Sequence, residues 1–210
     1  MGVLAGASLL ASSAAAEPSN LDDDDRRPTV RWPEPLALHA SATISTVGWG
    51  DVTFRDNESA LQMPGNQLSL SRVELVGVQA GLTLSSSIFR FDAGVGYGVP
   101  RDADTTRLPT LGPNARLSQL HVTRWYLQLG IGHRFRDVTP FLMLHGAIVR
   151  AIADVADPAL SLNGKRLSLG PRAGLRAHIY KKLFIQAAMF FDLLSVPDYA
   201  LTLGIGVGDR

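Results

Sequence analysis

From Leu36 onward the apolar residues of this chain recur at every second position, and that spacing constrains the fold more than any other feature it carries. The stretch Phe89–Val99 is the clearest case. Its odd positions read Phe, Phe, Ala, Val, Tyr, Val, while its even positions read Arg, Asp, Gly, Gly, Gly. A helix would scatter these residues round its axis, whereas a strand sorts them onto two faces.

The same sorting recurs along the chain. Trp125, Leu127, Leu129 and Ile131 alternate with Tyr126, Gln128, Gly130 and Gly132. Leu167, Leu169, Ala173, Leu175, Ala177 and Ile179 alternate with Arg166, Ser168, Gly170, Arg172, Gly174, Arg176 and His178. Leu183, Ile185, Ala187, Met189, Phe191 and Leu193 form another apolar set, and Tyr199, Leu201, Leu203, Ile205 and Val207 the last. Leu36–Trp49 and Leu68–Leu84 follow the pattern with more noise. In 139–151 the set Leu142, Leu144 and Ile148 competes with Phe141, Met143 and Val149 for the apolar face. The spacing predicts eight strands, each of about ten residues or more.

Long polar connections at 50–67, 100–116 and 152–165 alternate with tight ones at Ser85–Ser87, Arg136–Val138 and Lys181–Lys182, and Ser195–Asp198 closes the last pair. Up-and-down antiparallel strands with the long loops at one end explain this order. Parallel strands would need crossover helices, and the chain shows no helical period to make them.

Composition decides what such strands enclose. Of 210 residues, 46% are hydrophobic and 19% charged, yet after the N-terminus there is no apolar run of the about 18 residues that a membrane helix needs. The hydrophobic content excludes a disordered chain. Lys and Arg number 20 against 19 Asp and Glu, so no basic excess speaks for nucleic acid. Cys is absent, which removes disulfide frameworks, thiolate metal sites and thiol catalysis. Two closed barrels accommodate eight alternating strands. A soluble lipocalin-like barrel points its apolar face inward and binds hydrophobic ligands, whereas a membrane barrel points it at lipid. The second face here is Gly, Ser, Gln and Ala with scattered Arg, Asp, His and Tyr, which suits a crowded lumen better than a water-facing exterior. The expected fold is therefore all-β, a closed up-and-down antiparallel transmembrane β-barrel of about eight strands. With the N-terminus on the short-turn side, Phe89 and Phe135 mark one aromatic rim and Tyr97, Phe191 and Tyr199 the other.

Residues 1–16 read as a secretory signal peptide, an apolar stretch ending Ala14-Ala15-Ala16, although no Lys or Arg precedes it. Residues 17–35, with Asp22–Asp25 and Pro28, Pro33 and Pro35, read as a disordered acidic, Pro-rich lead-in, and 36–210 as the barrel domain. Four consecutive Asp side chains do not converge on one cation, so the acidic run is a solvated tail.

In alternation, strand count, loop asymmetry and signal-like N-terminus, residues 36–208 resemble the small eight-stranded outer-membrane β-barrel proteins of Gram-negative bacteria, the OmpA-transmembrane-like and OmpX-like group. The resemblance rests on architecture, and no motif narrows it to a subfamily. It implies a porin-like barrel in the cell outer membrane, with outer-membrane lipid and the outer-membrane assembly machinery as partners. Such proteins usually end in an aromatic residue read by that machinery, whereas this chain ends Gly206-Val207-Gly208-Asp209-Arg210.

Several constellations invite a functional reading. Arg90, Asp92, Arg172, Arg176 and Asp192 all fall on the expected lumen face. Charges enclosed there must be paired, so they form either a salt-bridge plug or the selectivity ring of a narrow pore. His39, His121, His133, His145 and His178 are spread over the chain without metal-ligand spacing, so neither a metal nor a cofactor is expected. His121-Val122-Thr123 places a His and a hydroxyl on the outward face, an arrangement similar to the His-x-Ser pair of barrel lipid A deacylases. Here the hydroxyl is Thr and no acidic partner is evident. Arg101, Asp102, Asp104 and Arg107 in the second long loop read as solvated surface, with no extracellular ligand legible. The expected role is non-enzymatic, structural or surface-interacting through the outer loops. A narrow pore, a soluble hydrophobic-ligand binder and a lipid A-modifying enzyme stand as alternatives.

Overall fold

A computed structural model describes residues 36–208 apart from 87, 102–106, 157, 181 and 195–197. The expected signal peptide and lead-in lie outside the described residues. Among the described residues ten strands follow in chain order: β1 (Leu36–Gly48), β2 (Thr53–Asp56), β3 (Gln62–Pro64), β4 (Arg72–Ser85), β5 (Phe89–Pro100), β6 (Arg116–Gly132), β7 (Val138–Ala156), β8 (Leu160–His178), β9 (Leu183–Phe191) and β10 (Tyr199–Gly208). Eight of them pair antiparallel in the ring β1-β4-β5-β6-β7-β8-β9-β10. β10 returns to β1 from Ala37↔Gly208 to Ser45↔Ala200, and β8 meets β9 from Arg172↔Phe190 to His178↔Phe184. The sheet has no free edge at the level of these pairings.

Alternation translates directly into inside and outside. On β6, Leu127 and Leu129 are 59% and 61% exposed, while Tyr126 and Gln128 between and beside them are buried. On β10, Leu201, Leu203 and Ile205 point outward, and Ala200 and Thr202 point inward. A closed barrel whose exterior is a band of exposed Leu, Ile, Val and Phe faces lipid, because water would penalise that band at about 25 cal/mol per Å2 of apolar surface. This orientation overturns the soluble, apolar-inside alternative. The ambiguous segment 139–151 resolves with Leu142, Leu144 and Ile148 outward and Phe141, Met143 and Val149 buried. Both faces of β7 are apolar because its inward residues fill the lumen, so no alternation rule could choose between them.

Strand glycines give the lumen its room. A Cβ on Gly81 or Gly94 would stand 2.3 or 2.4 Å from the Tyr126 hydroxyl, so the ring of Tyr126 crosses the lumen only because both positions are Gly.

The long-loop end departs from the sequence expectations in three places. In the stretch 152–165, residues 152–156 and 160–165 are strand rather than loop. β7 and β8 continue in register to Val155↔Leu160, with Ala151, Ala153, Val155 and Leu162 still pointing inward. The connection 50–67 contains the β2–β3 hairpin, which docks on β8 through Arg55↔Asn163 and Asp56↔Leu162. Leu68 and Leu70 precede β4 rather than belonging to it, and both are buried.

These three departures have one cause. Val47, Trp49, Phe54, Met63, Leu68, Leu75, Leu108, Leu120, Val149, Val155 and Leu162 belong to a single buried apolar cluster that caps the barrel mouth. Trp49, Phe54, Leu68, Leu108 and Leu162 have no exposed surface at all. Phe54 lies directly on Gly164, where a Cβ would meet its ring at 2.8 Å. Gly164→Val should therefore lift the β2–β3 hairpin and cost about 1–3 kcal/mol of local stability. Limited proteolysis should show cleavage in 50–67 while the barrel stays folded. Phe54→Ala should give the same cleavage, and combining the two should add little.

Candidate functional site

Below the apolar cap the lumen is polar, and its charges sort into two groups. The group nearer the cap is built on Arg166 of β8. Its guanidinium forms an ion pair with Asp192, just after β9, and donates to the Asp198 carboxylate (2.8 Å) and to the Gly48 carbonyl (2.6 Å). Asp198 also accepts from the Gly48 N–H (2.8 Å), and Asp192 from the N–H groups of Leu169 (3.2 Å) and Leu194 (3.0 Å). Arg124 of β6 reaches across to Ser45 of β1 (2.6 Å). Two carboxylates thus tie the β9–β10 connection to β1 and β8, inside the ring rather than around it.

The group nearer the short turns is centred on Asp92 of β5. Its carboxylate accepts from His39 Nε2 (3.0 Å) and from the Thr83 hydroxyl (3.2 Å). His39 Nδ1 accepts from the Gln186 amide (3.1 Å), which leaves the imidazole proton on Nε2, pointing at Asp92. Arg176 donates to Thr83 and to Gln186 (both 3.1 Å), and Arg172 donates to Thr202 (2.9 Å). Arg90, Arg172 and Arg176 all lie within electrostatic reach of Asp92. Aromatic faces supply the rest of their counter-field: the Arg90 guanidinium lies 4.5 Å from the Phe141 ring centroid and that of Arg176 3.8 Å from Phe184. His145 is held between Tyr126 and Phe190, with Nδ1 accepting from Gln128 (2.9 Å).

All five charged residues read from the sequence, Arg90, Asp92, Arg172, Arg176 and Asp192, are buried in this lumen. Which of them pair is not legible in the sequence, and the structure brings in partners from outside the five. The guanidinium partner of Asp192 is Arg166, and the direct contacts of Asp92 are His39 and Thr83. Arg124, Arg166 and His39 lie on inward positions legible by parity, but polar hydroxyl and amide partners such as Thr83 and Gln186 carried no signal of their own. Asp198 sits in a connection, where parity does not operate.

Between the groups is a cavity of about 40 Å3, lined by Ser45, Arg124, Tyr126, Arg166, Arg172 and Asp192 among others. That is room for a few waters. Trp49 and Phe54 belong to the buried cluster on its cap side, and Phe141, Met143 and Ala188 pack together on its short-turn side.

The outward candidate is equally specific. The Tyr97 hydroxyl donates to His121 Nδ1 (2.6 Å), and His121 Nε2 donates to Gln119 Oε1 (3.0 Å). Both ring nitrogens are therefore engaged by neutral groups, and Thr123 stands two residues along the strand. Of the other histidines, His133 packs edge-on against Phe135 and His178 lies near Phe184.

By sequence alone, no family model and no curated protein matches the chain. Solved structures do. The crystal structure of Neisserial surface protein A is similar at 12% identity and a TM-score of 0.54, covering 83% of this chain and 96% of that one. The fold is that of a small outer-membrane β-barrel. The attachment invasion locus protein of Yersinia pestis, solved with the heparin analogue sucrose octasulfate, aligns at 10% identity and a TM-score of 0.45, over 84% of this chain and 98% of that one. The N-terminal β-barrel domain of Pseudomonas aeruginosa OprF aligns at 12% identity and a TM-score of 0.39, over 82% and 96% of the respective chains.

As an outer-membrane-type barrel the chain must bury its lumen charges without water to spare. Removing the one carboxylate that Arg90, Arg172 and Arg176 share should be the most damaging lumen change. Asp92→Ala is expected to cost about 3–5 kcal/mol, read as a lower urea midpoint for unfolding in detergent. Ser168→Ala, which leaves every ion pair intact, should change that midpoint far less.

Proposed function

We propose that this chain is a non-enzymatic outer-membrane β-barrel protein with a structural or surface-interaction role, displaying its outer connections on a closed barrel. The observation that carries the reading is the cap. The long connections bury Trp49, Phe54, Met63, Leu68 and Leu108 inward over the lumen and turn Asp51, Arg55, Asn57 and Glu58 outward. A loop with a core of its own is preorganised, and preorganised loops are the form in which barrels present binding surfaces. The hairpin turn is itself ordered, with the Asp56 carboxylate accepting from the Ser59 N–H (2.8 Å). The hydrogen bond from the Ser59 side chain is the leading cause that holds the Asp56 carboxyl below the ordinary aspartate range.

Catalysis on the outer wall finds little support. A nucleophile needs a base within reach and the base needs an orienting partner. His121 is held by Tyr97 and Gln119, which leaves Thr123 without the base a deacylase would require. On the same reading, residues 1–16 direct export and are removed, 17–35 lead into the barrel, and the outer-membrane assembly machinery inserts 36–210. N-terminal sequencing of the membrane form should begin at Glu17.

The plugged lumen sets the deciding measurement. Purified protein in planar bilayers should show no steady ion conductance, and a deletion of 53–64 that strips the hairpin should not restore it, because the layer around Asp92 still fills the barrel. Stable single-channel steps from the intact protein would favour the narrow-pore alternative and end this one. Overexpression should leave the lipid A acylation pattern unchanged.

A further inference from the structure

Cross-strand register places three cations together on the outer wall where the apolar band ends. On β7 and β8 the outward residues Ile148 and Leu167 face each other and are 50% and 65% exposed, part of the lipid-facing band. The next outward pair toward the long-loop end is Arg150 opposite Lys165. The following outward residue on β8 is Asn163, and opposite it, on the docked hairpin, stands Arg55. Thr123 of β6 lies opposite Arg150 on the other side.

Like charges directly opposite on neighbouring strands destabilise a sheet. No ion pair among the described residues offsets them: none of Arg55, Arg150 and Lys165 makes one. The outward carboxylates nearby pair with none of the three, Asp154 accepting from the Ser161 hydroxyl (2.9 Å) and Asp56 from the Ser59 N–H (2.8 Å). The Arg150 guanidinium is not splayed into solvent. Its Nε and Nη2 both donate to Asn163 Oδ1 (3.0 and 2.6 Å), which draws it along β8 toward the strand position of Arg55 and leaves its other N–H groups unused by protein.

We propose that this patch binds the phosphorylated headgroup of an outer-leaflet membrane lipid. The location selects the ligand. Acyl chains lie against Trp125, Ile148 and Leu167, so the first group of the same molecule to rise past them reaches Arg150, Lys165 and Thr123. A phosphate there accepts charge-assisted hydrogen bonds from a guanidinium and an ammonium and relieves the repulsion between them. The proposal rests on the barrel standing in a membrane, but not on any role of its loops.

Full-length protein in zwitterionic detergent, titrated with lipid A, tests it against the same lipid stripped of phosphate. The double variant Arg150→Gln, Lys165→Gln should lose at least about tenfold in affinity for lipid A. The dephosphorylated lipid should bind the unaltered protein no better than lipid A binds that variant. The charge-keeping exchange Arg150→Lys, Lys165→Arg should retain binding, and Arg101→Gln, which removes an exposed guanidinium paired with Glu74, should leave it unchanged. Equal affinities for the two lipids, an unaffected double variant, or an equal loss from Arg101→Gln would each overturn the site. Inorganic phosphate bound as tightly as lipid A would do so too, since the site would then serve a free anion. Heat-modifiable gel mobility separates these outcomes from loss of the barrel: a chain that never shows it would instead remove the membrane reading itself.

Discussion

Ring closure is the constraint on which the rest depends. Within hydrocarbon no water is available to satisfy backbone N–H and C=O groups, so a sheet can stand there only if its last strand pairs with its first. Here the return of β10 to β1 and the pairing of β8 with β9 achieve that. Above the membrane the condition relaxes, and the structure uses the freedom. β8 outgrows β9, which pairs it only over 172–178, and the edge so exposed near Asn163 is covered by β2. The hairpin thus protects a strand edge, a common risk for uncontrolled pairing, while carrying Phe54 into the cap.

Closure with eight strands also makes the interior narrow, and narrowness dictates its chemistry. Side chains that cross it need glycine opposite them, as Tyr126 does over Gly81 and Gly94. Charges placed there meet little water, so they borrow what is close. One carboxylate, Asp92, serves three guanidinium groups with help from the Phe141 and Phe184 rings, while Arg166 gathers Asp192, Asp198 and the Gly48 carbonyl. Contacts of this kind span the lumen and brace strands far apart in the chain, such as β1 against β8 and the β9–β10 connection. An interior so braced is a stiff support for the cap.

Much of this was readable before the structure. Parity assigned Leu127, Leu129, Leu201 and Leu203 to the exterior and Arg90, Asp92, Arg172 and Arg176 to the lumen, because a strand has only two faces and the polar set recurs on one of them. The same rule left β7 undecided, since Phe141 and Met143 face inward and are as apolar as their lipid-facing neighbours. It also stops short at 152–165, where Asp154 and Asn163 imitate a loop although Ala151, Ala153, Val155 and Leu162 keep the period inside a longer hairpin.

Strands with one face for lipid and one for the lumen follow from residues two apart and are therefore written in the chain. Everything that depends on residues distant in the chain being brought level with one another belongs to the folded barrel. The gathering of Trp49, Phe54, Leu68 and Leu108 into one cap, the choice of Arg166 for Asp192, and the meeting of Arg55, Arg150 and Lys165 on one patch of wall all depend on register between strands. Alternation and the turns set the register of each hairpin, but which residues of strands far apart in the chain stand level follows only once the ring has closed.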